Sequence, residues 1–238
     1  MPVLRFLLPV LLGAASCLRA ADPAPPSQGA AVFQNVCAQC HGARGEGKVE
    51  LKTPSIAGQP AWYAKIQLAN FREGRRGHEP ADPQAFMMAA IAKTLQPEQI
   101  AAVTAHVEKM PLVIPTAKER EMAGTDVADG ARLYYERCME CHRYNGSGEM
   151  TFGSAPLIGL QSWYLEDQLR KFKSGKRGTV KSDINGAKMV QMTNQFIEDD
   201  QMLRNVVAYL MTLNPEPPAE EAKPAVHQGS PFQQTKTK

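Results

Sequence analysis

The 238-residue sequence is poor in aromatic residues, in cysteine and in net charge. Aromatic residues make up 7% of the chain, five residues are cysteines, and the formal charge is +3. Residues 1–20 contain two arginines and no acidic residue, so the remainder carries a charge of about +1. The sequence also lacks a lysine-rich run and a patch that interleaves basic and aromatic residues. These absences exclude nucleic acid as an expected partner.

Beyond the first twenty residues the sequence lacks long apolar runs and the alternating pattern of a half-buried β-strand. Residues 1–20 read MPVLRFLLPVLLGAASCLRA, where Arg5 precedes an apolar run that is too short to span a bilayer comfortably. This pattern predicts a cleaved secretory signal peptide at residues 1–20 and a periplasmic protein. A lipid anchor on Cys17 is a less favoured alternative, which would attach the protein peripherally to a membrane.

The four other cysteines form two Cys-x-x-Cys-His motifs, CAQCH at residues 37–41 and CMECH at residues 138–142. This motif attaches c-type haem. Its two thiols add to the vinyl groups at one edge of the porphyrin, and the adjacent histidine supplies an axial ligand to the iron. We therefore expect two covalently bound haem c groups. The attaching residues would be Cys37, Cys40, Cys138 and Cys141, and the histidine ligands His41 and His142.

Two other uses of paired cysteines compete with haem attachment. A four-cysteine zinc site does not require a histidine after each pair, and 97 residues separate the two pairs. A thioredoxin-like redox motif belongs in a βαβ setting, whereas both motifs follow helical patterns. The sequence therefore favours haem.

The chain repeats itself after 101 residues, without a gap. The residues that recur include the motif itself, Gly45 and Gly146, Gly58 and Gly159, Trp62 and Trp163, Gln67 and Gln168, Phe71 and Phe172, and Arg76 and Arg177. The repeat predicts two duplicated domains, at residues 27–112 and 126–214, joined by a linker at 113–125. Residues 215–238 are rich in proline and polar residues and predict a disordered tail.

Each half predicts helices. Residues 29–41 and 130–142 are expected to be helical and to deliver the cysteine motif. Residues 60–73 and 161–174 are amphipathic, and residues 97–109 begin with a proline at a helix N-terminus. Residues 198–213 are the counterpart of that last helix.

The second axial ligand decides whether the iron only transfers electrons or can also bind small molecules. Met88 and Met189 match in the repeat, each 47 residues after its histidine, and we predict them as the ligands. Met87 and Met192 lie nearby and remain alternatives, since most methionines are core residues. His78 and His106 have no matching histidine in the second half, and His227 lies in the tail.

Arg76 and Arg177 recur beside a glycine. Either could pair with a haem propionate, or both could be solvated surface residues. Trp62 and Trp163 are expected in the core, although an indole N–H could also bond a propionate.

The segments PSIAGQPAWYAKIQLANFREGRRG and APLIGLQSWYLEDQLRKFKSGKRG, which follow the two motifs, resemble the dihaem cytochrome c4 family. The resemblance covers roughly residues 27–213. It implies an all-α protein with two tandem class I cytochrome c domains, packed as a pseudo-twofold pair. It further implies His41/Met88 ligation of one iron and His142/Met189 ligation of the other. Leu160 stands where the first half has Gln59, and the last helix of the second half is shifted.

The expected function is that of an electron carrier between a quinol-oxidising complex or a dehydrogenase and a terminal oxidase or reductase. An enzyme, such as a dihaem peroxidase or a sulfur-compound dehydrogenase, would need one iron with an open or unusual ligand position. A cytochrome subunit of a larger oxidoreductase is the third alternative.

Overall fold

The computed structural model describes residues 27–214. The predicted signal peptide, Cys17, the predicted tail and His227 lie outside these residues. Within them the secondary structure is helical, and β-pairing is limited to two isolated bridges, Lys48 with Thr53 and Glu149 with Ser154. The predicted all-α class is therefore confirmed.

The helices occur in two similar sets joined by a short connection. The first set is α1 (Gln28–Val32), α2 (Ala38–His41), α3 (Ala61–Arg72), α4 (Pro83–Thr94) and α5 (Pro97–Glu108). A single helical turn, α6 (Ala117–Arg120), lies within the predicted linker. The second set is α7 (Val127–Leu133), α8 (Met139–His142), α9 (Ser162–Lys173), α10 (Ile184–Phe196) and α11 (Asp200–Leu210).

The cysteine motif of each half lies at the end of a helix with a wider turn in its middle. α1 leads into α2 through the π-helical segment Phe33–Cys37, and α7 leads into α8 through Tyr134–Cys138. Such wide turns are rare in proteins as a whole, but those that occur are often found at functional sites. The predicted helical lead-ins are thus confirmed, with a local widening immediately before each motif.

The first and last helices of each half cross at close range because each crossing contains a glycine. A Cβ on Gly29 would lie 2.2 Å from the Ala102 carbonyl oxygen, and one on Gly130 would lie 1.9 Å from that of Asn205. These crossings bring α1 onto α5 and α7 onto α11. They place each cysteine motif against the core of its own domain.

α4 and α10 were not predicted from the sequence. Each is capped by an aspartate, since Asp82 accepts from the Ala85 N–H and Asp183 from the Gly186 N–H. Met88 and Met189 lie on these two helices. The predicted helices at 60–73, 161–174, 97–109 and 198–213 are confirmed, with ends that differ by at most three residues.

Each half has its own hydrophobic core. The second half packs Leu133, Tyr134, Leu203, Val207 and Leu210 into one cluster. The first half has two clusters, one around Phe33 and Val103 and one around Phe71 and Ala89. Across residues 27–214, none of the helices combines the length and apolar character needed to cross a membrane.

Candidate functional site

A cavity of about 320 Å³ lies in the second half, and the predicted haem-binding residues of that half line it. Cys138, Cys141 and His142 contribute from α8 and the π-helical segment before it, and Met189 contributes from α10. The sequence placed Met189 47 residues from His142. The fold brings both onto one cavity.

The chemistry of the cavity wall fits a porphyrin. Most of the wall is apolar, from residues that include Leu133, Leu157, Leu160, Leu165, Leu169, Phe172 and Phe196. The volume falls at the lower end of the range for small-molecule sites, about 300–1,000 Å³. Part of the wall comes from the other half, through Tyr63, Gln67 and Asn70 of α3. The two halves therefore share a wall at this site.

The two motif histidines have matching environments. His41 Nδ1 lies 2.8 Å from the Pro54 carbonyl oxygen, and His142 Nδ1 lies 2.8 Å from that of Ala155. A carbonyl oxygen only accepts, so each Nδ1 carries the proton and each Nε2 keeps a lone pair free for a metal. Burial lowers the pKa of both histidines, against the opposing effect of these hydrogen bonds. Both rings are thus held neutral and oriented.

The environment of the cysteines weighs against the two competing uses of the motif. Burial raises the pKa of Cys37 and of Cys138 to about 11, so neither is an activated thiolate of the redox type. The four cysteines of the described chain are free, and residues 27–214 contain no cluster of three or more potential metal ligands among His, Cys, Asp and Glu. A four-cysteine zinc site has no counterpart there.

In the first half, burial distinguishes the two methionines that are candidates for the second axial ligand. Met88 is half-buried and packs beside Phe71, Ala85 and Ala89, whereas Met87 is 61% exposed. In the second half Met189 and Met192 both line the cavity, so burial does not separate them.

The other two histidines of the described chain have different surroundings. His106 lies on α5, with its ring centroid 5.5 Å from that of Phe33. His78 lies near the surface, 3.5 Å from the Glu79 carboxylate. The tryptophans are half-buried, and each packs edge-on against the tyrosine that follows it.

Arg76 and Arg177 are not solvated surface residues but the centre of the contact between the two halves. Arg76 donates to Gln67 of its own half at 2.8 Å, and to Tyr164 and Gln168 of the other half at 3.0 Å. Arg177 donates to Gln168 of its own half at 2.6 Å and to Gln67 of the other half at 3.1 Å. Each guanidinium also stacks on a phenylalanine of its own half. The contact is reciprocal and follows the sequence repeat.

The two guanidinium groups make the centre of this contact positive. Burial and the nearby Arg76 charge lower the pKa of Arg177. Burial acts to raise the pKa of Tyr164, but the charges of Arg76 and Arg177 outweigh it and lower that pKa. Within residues 27–214, Arg76 Nε is one of two buried side-chain polar atoms without a hydrogen-bond partner. Arg177 of this contact also lines the cavity, and a guanidinium there fits a carboxylate at the edge of a haem.

Two further contacts between the halves were missed by sequence reasoning. Gln161 donates to the Glu46 carbonyl at 2.7 Å and accepts from the Ser55 N–H at 3.0 Å. Lys171 pairs with Asp82 at 2.8 Å, and both side chains are largely buried. Neither residue has an identical match in the repeat, since Pro60 and Asn70 occupy the corresponding positions. Their departure from the repeat was the available signal.

Comparisons with known proteins agree with this architecture. The family model described as Cytochrome c matches twice, at residues 26–111 and 127–214. A "Thiosulfate dehydrogenase electron acceptor" of Stutzerimonas stutzeri (strain A1501) is 35% identical over 160 residues, 63% of this chain and 68% of that protein. A protein of the same name from Thiomonas intermedia (strain K12) is 30% identical over 189 residues, 74% of this chain and 78% of that protein.

Among solved structures, reduced recombinant cytochrome c4 from Pseudomonas stutzeri superposes with a TM-score of 0.60 at 20% identity. The match covers 78% of this chain and 97% of that one. This likeness concerns the fold, while the two family matches identify the domains and with them the covalent haem c of each. The chain therefore belongs to the cytochrome c family, as a dihaem protein with two cytochrome c domains in tandem, like cytochrome c4.

Proposed function

We propose that this protein is a periplasmic carrier that takes up single electrons from a dehydrogenase and delivers them to a terminal oxidase or reductase. The observation that carries the proposal is the shared wall between the two halves. The cavity that contains Cys138, Cys141, His142 and Met189 is completed by α3 of the first half. A haem in this cavity would border the first domain, and such closeness to the other haem would suit a relay of single electrons.

The proposed ligands are His41 and Met88 for the first iron, and His142 and Met189 for the second. Covalent attachment would be through Cys37 and Cys40 in one domain, and Cys138 and Cys141 in the other. The proposed domains are residues 27–112 and 126–214. When bound, the haem iron supplies one-electron chemistry, and a thioether ligand favours its reduced state.

The residues around each proposed site have positioning roles. Pro54 and Ala155 hold the two imidazoles in one tautomer through their carbonyl oxygens. The apolar wall of the cavity in the second half would limit the access of water to the iron. The positive contact around Arg76 and Arg177 would attract the carboxylates of the cofactors to the boundary between the domains.

We further propose thiosulfate dehydrogenase as the electron donor, because two relatives that cover most of this chain are named as its electron acceptor. A quinol-oxidising complex is the alternative donor. In either case the protein would take no part in bond-making chemistry on the sulfur compound.

The test mixes the oxidised, haem-loaded protein with thiosulfate, with and without a thiosulfate dehydrogenase, and follows reduction by visible spectroscopy. A carrier is reduced rapidly only when the dehydrogenase is present. Rapid reduction by thiosulfate alone would instead identify the protein as the dehydrogenase itself. No reduction in either mixture would remove thiosulfate dehydrogenase as the donor.

Carbon monoxide tests the ligand set separately. Two iron centres with both axial positions filled do not bind carbon monoxide in the fully reduced protein. Binding at one centre would show an open position and would favour the enzyme alternative.

A further inference from the structure

Gln161 reaches from the second half into the loop that holds His41. It is the residue immediately before α9, and its side-chain amide forms hydrogen bonds with two segments of that loop. Its nitrogen donates to the Glu46 carbonyl at 2.7 Å, and its oxygen accepts from the Ser55 N–H at 3.0 Å. This pairing of donor with carbonyl and acceptor with N–H fixes the orientation of the amide.

The Ser55 N–H belongs to the same peptide group as the Pro54 carbonyl. That carbonyl accepts the hydrogen bond from His41 Nδ1 at 2.8 Å. A continuous chain therefore runs from the Gln161 oxygen, through the Pro54–Ser55 peptide, to the His41 ring. Ser55 is 3% exposed and His41 is 9% exposed, so water competes little with either bond.

The second half cannot form this chain. His142 donates to the Ala155 carbonyl at 2.8 Å, but the next residue is Pro156, which has no N–H. The position that corresponds to Gln161 in the first half is Pro60, which has no amide side chain. The two histidines thus have matching first hydrogen bonds, but only one of them is linked to the opposite domain.

We infer that Gln161 is a positioning residue that sets the reduction potential of the first haem from the second domain, through the Pro54–Ser55 peptide and His41. Hydrogen bonds in a chain polarise one another, so an acceptor on the Ser55 N–H makes the Pro54 carbonyl a stronger acceptor. A stronger bond at His41 Nδ1 makes the ring a better donor to the metal. A better donor stabilises the oxidised iron and lowers the potential.

This inference rests on the proposed axial role of His41. It links the potential of the first haem to the docking of the two domains through the hydrogen bonds of His41. The second haem lacks such a link.

The test measures both potentials in the haem-loaded protein, by a redox titration in which NMR follows the resonances of each haem. Gln161→Leu is expected to raise the potential of the first haem and leave the second unchanged. In the reduced state the resonance of the His41 Nδ1 proton should move upfield, and that of His142 should stay in place. Gln161→Asn, whose amide is too short to reach Ser55, should act in the same direction.

A double-mutant cycle separates this mechanism from loosened packing. Ser55→Pro removes the N–H and copies the residue that the second domain already accepts at position 156. In that background Gln161→Leu should cause no further shift of the first potential. Ser55→Ala keeps the N–H and is the matched control, in which the full effect of Gln161→Leu should remain.

A shift of equal size at both haems, or one that persists in the Ser55→Pro background, would overturn the inference. An unchanged first potential in Gln161→Leu would overturn it as well. Failure of the proposed function has a different signature, because it would appear in the wild-type protein as carbon monoxide binding or an absent redox centre.

Discussion

At the scale of single residues, adjacent methionines provide a direct test of the proposed ligands. Met88 packs beside Phe71, while its neighbour Met87 is 61% exposed. Met88→Ala is expected to leave one axial position of the first iron open in the reduced protein, so that carbon monoxide binding rises from none to one per chain. Met87→Ala should bind none. Carbon monoxide binding by the Met87 variant would instead transfer the ligand role to Met87.

The same measurement decides between Met189 and Met192, which burial does not separate. We expect carbon monoxide to bind to the reduced Met189→Ala protein and not to the Met192→Ala protein. The reverse result would assign the second ligand to Met192 and show that the match within the repeat is a matter of packing.

Arg143 is a strained residue directly after the second motif. Its φ of 63° and ψ of 160° lie in a region that is almost restricted to glycine, and Gly42 occupies the corresponding position of the first half. Arg143→Gly should therefore raise the free energy of unfolding by about 1 kcal/mol, because the strain that is released exceeds the weak surface pair with Glu149. Urea unfolding measures the change, and Arg143→Ala, which keeps the strain, is the control.

The residues that could be predicted from sequence are those whose chemistry is local. Each Cys-x-x-Cys-His motif is complete within five residues, so its cofactor follows from spacing alone. Gln161 and Arg76 form their contacts with partners about 90 to 115 positions away. Such contacts depend on how two domains dock, and the repeat specifies the domains without specifying their docking.

At the scale of elements, α4 and α10 show why a helix can be missed. Their sequences lack a clear apolar stripe, and small residues such as Ala85, Ala89 and Gly186 form the buried face. The capping residues were the better guide, since Asp82 precedes a proline at the first helical turn and Asp183 recurs in the repeat. Met88 and Met189, which match in the repeat, lie on these two corresponding helices, and their role as ligands stays a prediction.

The crossing of α7 and α11 depends on Gly130. A Cβ at this position would lie 1.9 Å from the Asn205 carbonyl oxygen, so Gly130→Ala must push the helices apart. We expect a loss of at least about 2 kcal/mol in the free energy of unfolding, measured by urea denaturation.

Gly74→Ala is the comparison, because a Cβ there meets nothing within 4 Å and only the left-handed backbone penalty of about 1 kcal/mol applies. Equal losses in the two variants would show that the helix crossing relaxes easily.

At the scale of the whole molecule, the buried arginine contact should couple the two domains. Arg76 and Arg177 supply hydrogen bonds to the half-buried Gln67 and the buried Gln168, and losing a donor leaves each amide oxygen unpaired at up to about 3 kcal/mol. We expect the haem-loaded wild-type protein to unfold in one calorimetric transition. The double variant Arg76→Met with Arg177→Met should unfold in two.

Arg170→Met provides the control, since Arg170 forms its hydrogen bonds within the second half, with Glu166 and Asp200. A single transition in the double variant would show that other contacts, such as the pair of Lys171 with Asp82, suffice to join the domains.

The reciprocity of the arginine contact also bears on the origin of the molecule. When residue i of one partner meets residue j of the other, and j meets i in return, the surface is self-complementary, as in an isologous homodimer. Joining two such subunits in one polypeptide makes their association independent of concentration. It also frees the two copies to differ. Gln161 and Lys171 of the second domain form contacts with the first domain, whereas Pro60 and Asn70 occupy the corresponding positions of the first domain. Two identical subunits could not differ in sequence in this way.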